Sequence, residues 1–427
     1  MRKVLISIAL LVVACGALVG CSGYKAPGSG SSGGSSSGLT NRVFVSNPLF
    51  PSSAGTSPVL NIINATTDLL SPTTVGLAGA ASNPGLMAET PDRSKTLVFS
   101  SAENVIAVVA NATESGAGSI ALPAETKSIV TDPDNVTAYA AVPTAPVGAQ
   151  APGAVEVLDL TKGRIKGTIP VASVRTIVQS AKGAFILAFA DNSSTVTVIK
   201  IASFGTNTDA RTPVGGFDHP VSAVFSPDDS KAFILECGPE CGGTSAAVTV
   251  LDLTTNLPGT RIPVAAASIG FLDGTVIYVA GTPPGTLCGA GTAALTCGEL
   301  TVISTLSLAV TSTSPILISD GTHDRMVLTT DGQLYIGANH CTNINNPASG
   351  GTPAEVRGCL SIFNTKDNSV TVAPDNGDVT GIQSIVTRKV VYVVEGNQLR
   401  IYSTTTNKLQ TTQVDIVGPA VDVKLAD

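Results

Sequence analysis

The chain has 427 residues and no tryptophan, and it holds only three histidines and three methionines. Charged residues make up 13%, aromatic residues 4%, and the formal net charge is −7. Each scarcity excludes something. Without clustered Lys and Arg there is no surface to neutralise a phosphate backbone, so nucleic acid is not a partner. A Cys-x-x-Cys-His run is absent, which excludes covalent haem. Neither a glycine-rich phosphate loop nor a dinucleotide fingerprint occurs. The few aromatics speak against stacking platforms for glycans. No long segment outside the N-terminus keeps a 3.6-residue apolar period, so no helical domain is expected. What is abundant is Val, Ile, Thr and Ser, with 43 Gly and 26 Pro, the composition of many short strands joined by turns.

One unit recurs along the chain. Its cleanest copy runs from His219-Pro220-Val221 through Phe225-Ser226-Pro227-Asp228-Asp229 to Lys231-Ala232-Phe233-Ile234. A Cys/Gly-rich loop follows, then Val248-Thr249-Val250-Leu251-Asp252-Leu253 and Thr260-Arg261-Ile262-Pro263-Val264. These are four short strands, and self-similarity of four-strand units indicates an all-β protein, a β-propeller. Turn markers after the first strand of each unit are Pro91-Asp92, Pro133-Asp134, Ala181-Lys182, Pro227-Asp228, Leu272-Asp273, Thr330-Asp331, Thr387-Arg388 and Ala426-Asp427. The spacing, roughly 40–58 residues, suits propeller repeats with loop insertions. Arg42-Val43-Phe44-Val45 reads as a second strand lacking a first, and Val421-Asp422-Val423-Lys424-Leu425 as a first strand lacking the rest. The two predict one blade closed by the C-terminal strand, which leaves no open sheet edge. The count is eight four-stranded blades, or seven if the short unit around Thr96–Gly118 is not one. Tyr139, Tyr278, Tyr335 and Tyr392 fall in second strands and read as core.

Ser222-Ala223-Val224-Phe225-Ser226-Pro227-Asp228 with Lys231–Ile234 resembles the YVTN-type propeller repeat, as do Val155–Thr161 with Thr168-Ile169-Pro170-Val171. The resemblance is strong near 133–171 and 222–264 and weaker elsewhere in 41–427. It implies a propeller of prokaryotic surface proteins and carries no shared catalytic residues. Quinone-dependent dehydrogenases also use eight blades, but their repeats carry Trp docking motifs, which this chain lacks.

The N-terminus reads as an address. Met1-Arg2-Lys3 precedes an apolar stretch from Val4 to Val19, and Leu18-Val19-Gly20-Cys21 resembles the bacterial lipobox. The expected organisation is a signal peptide over 1–20, a lipidated Cys21 opening a Gly/Ser-rich tether over 21–40, and the propeller over 41–427. Val12-Val13-Ala14-Cys15 is a competing lipobox and a transmembrane anchor a competing reading, the apolar run being short for a span. The resemblance implies palmitate, a membrane partner through the anchor, and export to the cell envelope, the outer membrane where a cell has two.

The remaining cysteines form three local couples, Cys237 with Cys241, Cys288 with Cys297 and Cys341 with Cys359, each between the second and third strands of its blade. They are expected as disulfides of an oxidising compartment. Zinc at Cys237–Cys241 lacks a second ligand couple. Alternating strands put second-to-third loops and blade-to-blade connections on one face. The same face carries His219, His323 and His340 with Asp218, Asp320 and Asp324, and the insertions near 281–298 and 339–358. It is the candidate binding face for a protein or small molecule. His219 and His323 are expected there as exposed loop residues.

The functional expectation is an envelope lipoprotein scaffold, monomeric, without catalysis, cofactor or metal. One variant of it is an outer-membrane assembly scaffold, by analogy with the eight-bladed lipoprotein of the barrel-insertion machinery. The alternative is a metal-assisted hydrolase or lactonase at the central mouth, with candidates Glu89, Asp132, Asp218, His219, Asp320, His323, Asp324 and Asp378.

Overall fold

A computed structural model describes residues 37–427 except 54, 78, 204–210, 287, 289–295, 343, 347–354, 375 and 412, with backbone alone at 203, 344–346 and 355–357. The expected signal peptide, Cys21 and the tether up to residue 36 lie outside the described residues.

Eight antiparallel sheets form a closed ring, seven of four strands and one, blade 6, whose fourth strand is split in two. Blade 1 consists of Val423–Leu425, Arg42–Ser52, Gly55–Asn64 and Leu69–Gly76, from the centre outward. Blades 2 to 5 begin with the inner strands Pro84–Glu89, Ser128–Thr131, Val174–Gln179 and Pro220–Phe225. Blades 6 to 8 begin with Ile269–Asp273, Thr322–Leu328 and Val379–Ile385. The ring closes through the C-terminal strand, with Val43 opposite Leu425 and Val45 opposite Val423. The unit around Thr96–Gly118 is a complete blade 2, with strands Pro84–Glu89, Lys95–Ser100, Val105–Ala110 and Ser115–Ala121, so the count is eight.

Second strands sit in the middle of each blade and are covered on both sides by neighbouring blades. They are accordingly almost continuously apolar: Val390–Glu395 is buried at every position. Outer strands such as Arg164–Pro170 alternate and face solvent. The core is a set of seams between blades. One seam joins Tyr139, Val155 and Val157 of blade 3 to Val174, Ile177 and Ile186 of blade 4. Tyr139, Tyr278, Tyr335 and Tyr392 are all buried.

Several first-to-second turns are built by aspartate, that of blade 4 by the Ser180 hydroxyl. The Asp228 carboxylate accepts from the Ser230 N–H at 3.1 Å and from the Ser226 and Ser230 hydroxyls at 2.6 and 2.9 Å. These bonds hold its pKa well below the usual carboxylate range, the Ser226 hydroxyl first. Asp229 takes the positive φ of 61° that closes the turn.

Two features lie beyond the repeat pattern. Five inner strands open with a bulge, at Pro84/Met87, Val174/Thr176, Pro220/Ser222, His323/Arg325 and Val379/Gly381. Blade 6 has a broken outer edge, Ala309–Val310 and Ile316–Ile318 both pairing with Gly298–Ser304. Pro315 between them has no N–H for a continuous ladder.

Candidate functional site

Because strands alternate in direction, second-to-third loops and blade-to-blade connections emerge on one face, called here the loop face. First-to-second and third-to-fourth turns emerge on the other, the turn face. The three expected disulfides are present on the loop face of blades 5, 6 and 7, with Cα separations of 5.7, 5.1 and 5.6 Å. Each closes a short local loop, of a kind worth about 2–3 kcal/mol in chain entropy.

The loops are also tied to one another. In blade 5 the Asp218 carboxylate accepts the Thr244 and Ser245 N–H groups, both at 2.8 Å, and the Thr244 hydroxyl at 2.5 Å, with His219 Nδ1 at 3.0 Å. The Thr244 hydroxyl, then His219 and the backbone donors, pull its pKa far down. The Asp218 N–H donates to the fully buried Glu236, which also receives Arg261 at 3.2 Å. Inside the Cys237–Cys241 loop, Glu240 reaches blade 6 and accepts the Ser268 hydroxyl at 2.6 Å and the Thr282 N–H at 3.0 Å. Burial raises its pKa. The approach requires Gly281, because a Cβ there would lie 2.6 Å from Glu240 Oε2. The Thr282 hydroxyl donates to the Gly321 carbonyl at 2.7 Å, linking blade 6 to blade 7. Asp320 accepts the Thr342 N–H at 3.1 Å and its hydroxyl at 2.5 Å. The His340 N–H donates to Asp378 of blade 8 at 2.7 Å. A continuous chain of bonds thus runs over four blades.

The six candidate residues fall into two groups. Asp218 and His219 adjoin each other over blade 5, while Asp320, His323, Asp324 and His340 belong to blade 7. Asp218 and Asp320 are engaged in holding backbone. His219 is half-buried beside Asp218, and His340 is exposed at a positive φ of 55°. His323 corrects the expectation of an exposed loop residue. It lies inside Thr322–Leu328 with 2% of its surface exposed, packed against Gly298 and Ser319 of blade 6. The bulge after it explains the difference: His323 still pairs with Ala338, and Asp324 is the extra residue turned out of register. Asp324 is bound by Asn339 at 2.9 Å and Arg325 at 3.3 Å, and burial raises its pKa.

The mouth candidates do not form one rim. Glu89 ends the inner strand of blade 2 and Asp132 follows that of blade 3, so both sit at the turn-face end, opposite Asp218, Asp320 and Asp378. Burial pushes Glu89 up to about 8, against the pull of Lys424 and Arg93. Asp132 accepts the Gln179 amide at 2.7 Å. Beside them a cavity of about 400 Å³ is lined mainly by Ala88, Ile129, Thr131, Ile177 and Gln179. Among the described residues no three His, Cys, Asp or Glu side chains are grouped as metal ligands.

Glu236, Glu240, Arg261 and Thr282 went unnoticed in the sequence. The one signal was the position of Glu240 in Cys237-Gly238-Pro239-Glu240-Cys241, a loop that points its carboxylate at the next blade.

No protein-family model matches the chain, and no curated protein matches it. Solved structures do resemble it. Hydrazine synthase of Kuenenia stuttgartiensis aligns with a TM-score of 0.55 and 15% identity over 78% of this chain and 96% of that one. Dihydro-haem d1 dehydrogenase NirN aligns at 0.62 and 11% identity over 92% and 76%. A functionally unknown protein from Desulfotomaculum acetoxidans aligns at 0.51 and 12% over 90% and 99%. The likeness is one of fold. The chain is an eight-bladed β-propeller.

Proposed function

We propose that the chain is a lipoprotein of the bacterial envelope, a monomeric YVTN-type propeller anchored by acylated Cys21, that binds a protein or small-molecule partner on its loop face. The observation that carries the reading is the chain of bonds across blades 5 to 8. Ordering long loops on binding costs entropy, and loops already closed by disulfides and tied blade to blade have less left to lose. The disulfides agree with export to an oxidising compartment. The carboxylates of the face hold backbone N–H groups, which leaves the surface shaped rather than reactive.

The test shortens the loops and spares the blades. Residues 284–296 are replaced by a short Gly/Ser link together with Cys297→Ala, or residues 343–356 together with Cys341→Ala and Cys359→Ala. Partner capture, read by cross-linking and co-purification from the native envelope, should fall by at least about tenfold, the loss of one central contact region. Thermal unfolding should remain a single transition. The hydrolase reading expects another result: turnover of a lactone or ester that chelators and His219→Ala abolish. Unchanged capture together with such turnover would replace the scaffold by the enzyme.

A further inference from the structure

We propose that the turn face is a membrane-contact surface, laid against an anionic lipid leaflet, with the loop face directed away from it. The proposal rests on the lipid-anchor reading and adds to it an orientation and a docking surface.

The first observation is where the described chain begins. The Arg42 end of Arg42–Ser52 lies on the turn face, since the strand runs antiparallel to Val423–Leu425. The preceding residues stay there, with the Ser37 hydroxyl bonded to Glu114 in the third-to-fourth turn of blade 2. Sixteen residues, Gly/Ser-rich in sequence, separate Cys21 from Ser37, and a Gly/Ser chain of that length has an r.m.s. reach of roughly 20–24 Å. A six-residue strand is about 20 Å long, so the tether's whole mean reach is needed merely to pass the height of the ring. The turn face is the near face.

The second observation is the apolar surface. Among the described residues eight large aliphatic side chains are exposed, and only Leu49 is on the loop face. Leu69, Leu257, Leu306 and Leu409 sit at the third-to-fourth turns of blades 1, 5, 6 and 8, and Leu306 is 80% exposed. These tips stand around the rim in one layer rather than lining a groove. That arrangement fits a flat interface into which leucine tips dip, and not a single bound polypeptide.

The third is charge. Lys162, Lys182, Lys366, Lys389 and Lys408 are exposed on the same turns. Carboxylates share these turns, Asp92, Asp134, Asp228, Asp273 and Asp367 being exposed, and the lysines stand among them as the more mobile charges. Of the exposed lysines among the described residues only Lys127 lies on the loop face, where Asp218, Glu240, Asp324 and Asp378 are half-buried, so the turn face is the less repelled by an anionic leaflet.

The experiment uses the mature full-length protein in vesicles of phosphatidylethanolamine with phosphatidylglycerol and in detergent micelles. Lysines are acetylated by a membrane-impermeant reagent and read by mass spectrometry. In vesicles the five turn-face lysines should react several-fold more slowly, while Lys127 on the loop face is unchanged. Leu257→Asp with Leu306→Asp should remove most of that protection, and raising salt should weaken it, each basic group contributing about fivefold in affinity at low salt. The same digest gives the mass of the peptide starting at Cys21. An acylated Cys21 with equal labelling in vesicles and micelles overturns the contact surface and spares the anchor. Protected turn-face lysines on an unacylated chain overturn the anchor and keep the surface. Protection of Lys127 instead, or no acylation and no protection, overturns the orientation.

Discussion

Removing residues 423–427 should cost this protein its cooperative unfolding, because it removes the inner strand of blade 1. Val423 and Leu425 are buried against blade 8 residues such as Tyr392 and Val394, and Ala426 against Phe44 and Met87. The seam is also ionic. Arg42, with only 7% of its side chain exposed, donates to Asp427 through Nε at 2.7 Å, to Glu114 at 2.9 Å and to the Asn111 carbonyl at 2.8 Å. On the other side of the blade Arg388 pairs with Asp68, which also accepts the Tyr392 hydroxyl. Blade 1, assembled from both ends of the propeller chain, is thus held to both neighbours by charged groups.

A milder variant isolates the ionic part. Asp427→Ala leaves Arg42 buried with one carboxylate instead of two. Stripping one partner from a buried pair costs about 3–5 kcal/mol, and the remaining Glu114 should limit the loss to about 2–3 kcal/mol. The exposed pair Arg175–Asp191, both side chains more than half exposed, is the control: Arg175→Ala should stay within about 0.5 kcal/mol. Urea unfolding at pH 7 decides. Equal losses in the two variants, or a truncated chain that unfolds as sharply as the intact one, would mean that the closing strand is a passive fit.

The ring was readable in advance because its chemistry repeats. A second strand buried on both sides has to be apolar throughout, so Val390-Val391-Tyr392-Val393 and Phe185-Ile186-Leu187-Ala188 announce themselves. Each Pro-Asp and Ala-Lys turn closes on a residue at positive φ just after its marker pair, Asn135, Gly183 and Asp229 among them, as Thr330-Asp331 does on Gly332, so the markers locate the blades. The orphan strand at 421–425 and the headless pair at 42–63 complete each other. What escaped is set by single bonds rather than periodicity. A bulge shifts one residue and reverses which of His323 and Asp324 is inside, with no signature at that length. Glu240 belongs to blade 5 by sequence and to blade 6 by its hydrogen bonds. Glu89 and Asp132 were grouped with loop-face residues by residue type, whereas strand direction sends them to the other mouth. The three local disulfides were legible because each couple lies within one loop.

The buried histidine gives the second large effect, one of pH. His323 has no hydrogen-bond partner of good geometry on either ring nitrogen. Burial pushes its pKa down to about 4 from 6.5, against a weaker upward pull from the Ser319 backbone. The folded protein therefore holds the ring neutral where an unfolded chain would already have protonated it. Above pH 6.5 both states are neutral and the residue adds no pH dependence. As pH falls from 6.5 toward 4 the unfolded chain takes up the proton first, so stability drops, by about 3 kcal/mol in all for a shift of this size. Below about pH 4 the folded state also binds the proton and the loss levels off. Carboxylates change stability over part of the same range, so the expectation concerns a difference. Urea unfolding of wild type and His323→Leu should give curves that run parallel above pH 7 and converge or cross as the pH falls to 4.5. Leu fills the site between Gly298 and Ser319 with nothing to protonate. Curves parallel down to pH 4.5 would mean that the seam opens far enough on protonation to hydrate the imidazolium, and that blades 6 and 7 are less tightly joined than the packing at Gly298 implies.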